Sequence, residues 1–438
     1  MSRCSCPDHS SPRFKRGVSR RDVLKYALGG AGIVALGPTL GKSLPSAYGA
    51  PMGNKILICV NMDGGCDTLN AVIPSTQQAY FDARPTIQIP NAASLDLTGG
   101  PGTSLYRLHP EFDHVRDLWN LGDVALVNRV GYPDENLSHF ESQDIYAWGV
   151  RDGFDQSYLP PSGWIARYAG LYAPTPMGAV AVGQGRPTTF VGGTSNPLQV
   201  NSLSSFRFNG DNAFSANHTY RLQMIQSVLA GASTAGMPGE VREALSEAHS
   251  LTGQIQTALT NYNNRPGGAS IVYQNRGISN AFKDVAALIY GGFETRVFYV
   301  GLGGFDTHGD QGAATGGQAD LFTSLDDAIG SFHDDMVAMG QWDNVVIVCF
   351  SEFGRRNYEN GSGGTDHGAA LAELIVGGAV NGGMKGPDLT VNDLTGEYVT
   401  YAVDFRDVYK EILNDHLGAA PGPVFPEVQP TNVVLGVV

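Results

Sequence analysis

The sequence predicts an α/β fold, a mostly parallel central sheet flanked by helices. Three observations predict it. Short apolar runs recur at Lys55–Asn61, Asp123–Val130, Thr295–Val300 and Val345–Phe350, and the last has no polar break, as expected of a strand buried on both faces. Segments with helical spacing of apolar residues separate these runs, for example Glu111–Asn120, Ile278–Tyr290 and Ala319–Met339. Residue types that ligate metals follow the strand ends repeatedly, at the edge where open α/β sheets bind ligands.

The first 49 residues read as a twin-arginine (Tat) signal peptide. Ser19-Arg20-Arg21-Asp22-Val23-Leu24-Lys25 precedes a Gly-rich, weakly apolar segment, Tyr26–Leu40, and Ala47-Tyr48-Gly49 supplies small residues for cleavage. This predicts a Tat translocase as export partner, a periplasmic or extracellular location, and a mature chain over 50–438. No later stretch is apolar for long enough to span a membrane, so no transmembrane anchor is expected in the mature chain. Without residues 1–49 the formal charge falls from −14 to −20, which argues against nucleic acid or an anionic membrane surface as partner. Cys59 and Cys349 lie in apolar runs and Cys66 in a glycine turn, so the three remaining thiols form neither a disulfide framework nor a zinc knuckle.

Along the mature chain, the strand at Lys55–Asn61 runs into Asp63-Gly64-Gly65-Cys66-Asp67, where two carboxylates flank a glycine pair. Residues 75–105 read as a polar surface excursion, followed by the helix at Glu111–Asn120 and the strand at Asp123–Val130. Ser138 is then placed to cap a helix, with Glu141 completing a capping box. The competing role for the same hydroxyl is attack on phosphorus, with the helix N-terminus cradling the ester oxygens. Residues 150–265 read as a cap over the site. Within and around it the spacing predicts helices at Trp164–Leu171, Ala216–Ala230 and Gly239–Tyr262, and strands at Ala179–Val182 and around Phe190.

After the strand Thr295–Val300 come Asp306 and His308, two apart among glycines. After Val345–Phe350 comes Glu352, then a Gly/Ser/Asn loop to Asp366 and His367; that loop is expected to cross back before a strand at Leu371–Val376. Glu352 and His367 should lie within about 10 Å of each other at one sheet edge, a separation the loop's reach permits. Arg355 and Arg356 could pair with Glu359 or with an anionic substrate. A helix over Asp404–Leu417 and an edge strand at Val433–Val438 complete the chain. Carboxylates and imidazoles together suit zinc, manganese or iron more than calcium. Two such ions about 4 Å apart would stabilise both oxygens of a phosphoryl transfer.

These motifs carry a family resemblance. Gly64-Gly65-Cys66-Asp67-Thr68-Leu69-Asn70, Ser138-His139-Phe140, Gly304-Phe305-Asp306-Thr307-His308, Ser351-Glu352-Phe353-Gly354-Arg355 and Gly364-Thr365-Asp366-His367-Gly368 resemble the exported bacterial proteins of domain-of-unknown-function family fifteen-hundred-and-one. That family is placed in the alkaline-phosphatase-like (sulfatase-like) superfamily. The resemblance implies that fold and a metal-dependent hydrolase of phosphate or sulfate esters, acting on a small-molecule or glycan substrate. It implies Ser138, with His139 beside it, as the catalytic residues. It implies metal ligands drawn from Asp63, Asp67, Asp306, His308, Glu352, Asp366 and His367, with Asp67 favoured over Asp63 at the first strand. Glu352-Phe353 stands where the superfamily has Asp-His, so one imidazole is missing and the number of ions is left open. No Cys-x-Pro-x-Arg or Ser-x-Pro-x-Arg formylglycine signal occurs. The alternative reading is a non-catalytic binding or assembly module of the cell envelope.

Overall fold

The computed structural model describes residues 55–149, 162–195, 197–207, 220, 223–224, 227, 230–231, 236–426 and 434–438. The expected signal peptide, the helix at 216–230 and parts of the expected cap lie outside the described residues or are only partly among them.

Among the described residues, twelve strands form two sheets. They are β1 (Ile56–Asp63), β2 (Val72–Ile73), β3 (Leu95–Leu97), β4 (Thr103–Leu108), β5 (Val124–Gly131), β6 (Ala179–Val182), β7 (Leu198–Val200), β8 (Val297–Gly303), β9 (Val345–Phe350), β10 (Leu371–Val376), β11 (Gly383–Lys385) and β12 (Val403–Asp404). The main sheet runs β11-β5-β10-β9-β1-β8-β6-β7, with β12 also on β5; β2-β4-β3 make a small sheet of their own. Every pair in the main sheet is parallel except those of β10, which is antiparallel to both β5 and β9. The α/β, mostly parallel architecture is as the sequence predicts.

Alternation along β1 builds two cores. Ile56, Ile58 and Val60 face a layer made by α1 (Asp113–Leu121), α4 (Gly236–Asn263), α5 (Gly277–Tyr290) and α6 (Gly317–Ala338). Leu57 and Cys59 face α2 (His139–Trp148), α3 (Trp164–Tyr172) and α7 (Phe405–Glu411). Both faces of β9 are covered, and all six of its residues are buried. Cys59, Cys66 and Cys349 are free and buried.

Several expectations are corrected. Residues 75–105 are not a purely polar surface excursion, since they hold the helical turn Gln78–Ala83, β3 and the start of β4 and bury Tyr80, Ile87, Ile89 and Leu97. Around Phe190 the chain makes a 3-10 turn, Thr188–Phe190, and the strand instead is β7. The terminal helix ends at Glu411 and continues as one wide π turn, Ile412–His416. Residues 434–438 are not a strand, although the N–H groups of Leu435 and Val437 donate to the Glu411 carboxylate. The loop after β9 does not cross the sheet. Because β10 runs against its neighbours, beginning opposite Val130 near the end of β5, Ser351–Ala370 leaves and re-enters at the same carboxyl edge.

Glu373 on β10 is fully buried, and neither carboxylate oxygen has a protein partner. Burial pushes its carboxyl well above the ordinary value. A carboxyl raised in the folded chain contributes stability that is complete below the unfolded value, near 4.5, and is lost as pH rises through the folded value. Glu373→Gln removes that proton linkage. Urea midpoints of the two proteins are therefore expected to diverge between pH 4.5 and alkaline pH, the parent losing stability relative to the variant. Parallel profiles would show that Glu373 ionises normally.

Candidate metal centre

The carboxyl ends of β1, β5, β8 and β9 lie at one edge, and the turns that follow them meet there. Two glycines permit the approach. A Cβ on Gly64, whose φ is +122°, would stand 2.4 Å from the Asp306 nitrogen. One on Gly364 would stand 2.3 Å from the Thr307 carbonyl oxygen. Beyond β9 the chain doubles back on itself: Gly354 and Arg356 donate to Ala369 and Asp366 carbonyls, and this pairing carries His367 inward.

Three nitrogen and oxygen atoms form a tight triangle. His308 Nε2 lies 2.9 Å from His367 Nε2 and 3.1 Å from Asp306 Oδ1, and His367 Nε2 lies 3.3 Å from the same oxygen. The far side of each ring fixes its tautomer. His367 Nδ1 is 2.8 Å from the Leu137 carbonyl, which can only accept, so Nδ1 carries the proton and Nε2 the lone pair. His308 Nδ1 likewise faces the Asp366 carboxylate at 3.2 Å. Burial pushes the His367 imidazole below its ordinary pKa, which keeps it neutral. With both imidazoles neutral the three atoms are acceptors, and a cation between them would satisfy all three at once. Ligands bound to a tetrahedral ion at about 2.0–2.1 Å stand about 3.3 Å apart, close to the separations seen.

His139 completes the arrangement. Its Nδ1 is 2.7 Å from Glu352 Oε1, while Nε2 is buried, lacks a hydrogen-bond partner and points to Asp306 Oδ2 at 3.6 Å. Ligand atoms of His139, Asp306 and His367 lie within 4.8 Å of one another. Each imidazole is thus oriented from behind by an oxygen, the pattern of metal-bound histidines. The donor set fits a divalent metal ion.

The remaining expected residues take other places. Glu352 is buried and accepts from the Gly64 N–H at 3.0 and 3.2 Å, Ser351 Oγ at 3.0 Å and Gln143 Nε2 at 3.3 Å, as well as from His139. It lies behind His139. Asp366 lies behind His308 and is held by Asn360 Nδ2 at 3.0 Å, which keeps its carboxyl below the ordinary value. Asp63 reaches the edge, where Gln143 bridges it to Glu352. Burial, then the Glu352 carboxylate, pushes Asp63 above the usual range. Burial works in the same sense on Asp306, but the hydrogen bond and charge of Arg355 outweigh it and hold that carboxyl low.

Asp67, favoured at the sequence level, is not brought to this cluster. It is buried and gripped by Arg84, at 2.5 Å to Oδ2 and 3.0 Å to Oδ1, with Gln311 Nε2 at 2.7 Å. Arg355 does not pair with Glu359. Its fully buried guanidinium donates to the carbonyls of Gly64, Gly65, Phe305 and Thr365 and to Asp306 Oδ1. Arg356 instead pairs with Glu397 at 2.9 Å.

Ser138 is the N-cap of α2, but its side chain makes no capping bond, and Glu141 bonds Asn136 rather than closing a capping box. The hydroxyl is free, between Leu137 and His139, both of which touch the cluster. Gln143, missed in the sequence, is one turn beyond His139 and shares its helix face, a spacing that could have revealed it.

A family model described as "Protein of unknown function (DUF1501)" matches residues 130–425. This chain is a DUF1501 protein. No curated protein matches it. Solved structures similar to this DUF1501 chain include a protein in the alkaline phosphatase superfamily from Vibrio parahaemolyticus. That one is 10% identical with a TM-score of 0.36, and the match covers 94% of this chain and 79% of that one. Another is the C-terminal periplasmic domain of EcEptC from Escherichia coli in complex with Zn, at 12% identity, 88% and 89% coverage and a TM-score of 0.36. A third is the PsFucS1 sulfatase from Pseudoalteromonas sp., at 11%, 86% and 69%, and 0.35. Among the described residues of the DUF1501 chain, no helix is long and apolar enough to cross a membrane.

Proposed function

We propose that the chain is a Tat-exported, metal-dependent hydrolase of phosphate or sulfate esters, with Asp306, His308 and His367 holding a divalent ion, zinc being the closest fit, and Ser138 as nucleophile. The observation that carries the reading is the triangle of Nε2 and Oδ1 atoms, each imidazole held from behind by an oxygen. A divalent ion at that position supplies a Lewis acid for the ester oxygens. His139 Nε2, buried and unpartnered, faces the same space and is either a further ligand or a contact for the bound ester. Ser138 Oγ attacks the central phosphorus or sulfur as the bond to the ester oxygen breaks, its proton leaving with the departing alcohol; water then hydrolyses the seryl ester, releasing phosphate or sulfate and restoring the hydroxyl. The orphan N–H groups of the first turn of α2 face the nonbridging oxygens. Asp63 and Asp67 stay outside this ligand set, the first bridged by Gln143 and the second neutralised by Arg84. Export through the twin-arginine route would place the reaction in the periplasm or outside the cell.

The second reading, a non-catalytic module, is favoured by one observation. Phe353 fills the position where an imidazole is missing, its ring 4.9 Å from that of His139 and 4.6 Å from that of His367. A panel of phosphate and sulfate mono- and diesters separates the two. Turnover that disappears on chelation and returns with zinc or manganese is expected. No turnover of any ester by protein shown to hold metal would favour the binding module.

A further inference from the structure

We infer that the centre takes one divalent ion and that Gln143 keeps it mononuclear, by bridging Asp63 and Glu352 where a second cation would have to sit. The inference rests on the metal reading of the Asp306–His308–His367 triangle.

Two carboxylates at one edge are the ordinary material of a second ion site, and Asp63 and Glu352 are such a pair. The acceptor positions of Glu352 are already taken by protein donors, and Asp63 Oδ1 accepts from Gln143. One nitrogen of the Gln143 amide donates to Asp63 Oδ1 and lies 3.3 Å from Glu352 Oε1, so it occupies the space between them. The remaining positions on Glu352 accept from the Gly64 N–H, Ser351 Oγ and His139 Nδ1. A cation entering would have to displace N–H donors from a carboxylate that is only 1% exposed.

Charge points the same way. Arg355 sits in a cage of four carbonyl oxygens and Asp306 Oδ1, a set of oxygens a hard cation would take, and its guanidinium does not deprotonate. It is a fixed positive charge that shares Asp306 with the triangle. A second divalent ion would add its charge beside that fixed one.

The test is metal stoichiometry. The full chain is freed of metal, loaded with excess zinc, desalted, and measured by elemental analysis and native mass spectrometry. About one zinc per chain is expected for the parent protein. Gln143→Glu replaces the bridging amide with a third carboxylate on a partly exposed helix position, and near-UV circular dichroism checks that it folds. In this variant the content should rise to about two. Two zinc ions bound by the parent would overturn the inference and leave the metal reading standing. A folded Gln143→Glu that still binds one would overturn the role of Gln143. No zinc in either protein would remove the inference together with the reading it rests on.

Discussion

Arg84→Met is expected to destabilise the chain by about 3–5 kcal/mol, the usual cost of stripping one partner from a buried ion pair. Arg84 is fully buried, forks onto both oxygens of Asp67, and also donates to Asn70 Oδ1 and the carbonyls of Arg356 and Asn357. Methionine fills the volume but leaves the Asp67 carboxylate buried, with Gln311 as its main remaining side-chain donor. Urea unfolding measures the loss. A change below about 1 kcal/mol would show that the pair is solvated as a surface bridge is. The double variant Asp67→Leu/Arg84→Met should recover part of the loss, because it removes the stranded charge as well.

Ser138→Ala is expected to lower ester turnover by about 10³-fold or more, as removal of a nucleophile does, while zinc content stays at the parent level. The two readouts separate roles, since the Ser138 hydroxyl makes no hydrogen bond to the described ligands and its loss should not disturb them. A variant that keeps more than about a tenth of the turnover would exclude a seryl intermediate and point to direct attack by water.

The main elements were legible because their signals are local. The unbroken run Val345–Phe350 reads as a doubly buried strand and is one, and the helices of the first core appear within a few residues of where the apolar spacing puts them. The direction of β10 was not legible. An apolar run looks the same read either way, and its pairing with β5 and β9 sets its sense.

The site divides along the same line. Asp306, His308 and His367 stood out by residue type and position after strands, and the structure brings them together. The choice between Asp63 and Asp67 turned on facts invisible in a short window. Gly64 and Gly65, both at positive φ, reverse the chain between the two carboxylates. Arg84 reaches Asp67 from a separate helical turn, Gln78–Ala83. The capping box failed for a related reason. Ser138-x-x-Glu141 satisfies the local rule, but Asn136 takes the Glu141 carboxylate and leaves the serine free. Arg355 could be noticed as a charge near the site, whereas its burial among carbonyls of three different loops required the fold.

The central claim is that Asp306, His308 and His367 hold the metal. Crystals of zinc-loaded protein, measured on both sides of the zinc absorption edge, test it most directly. The account predicts an anomalous peak about 2.0–2.2 Å from Asp306 Oδ1, His308 Nε2 and His367 Nε2, lost in His367→Ala. A peak bound by Asp67, or an empty triangle in protein that carries stoichiometric zinc elsewhere, would contradict it.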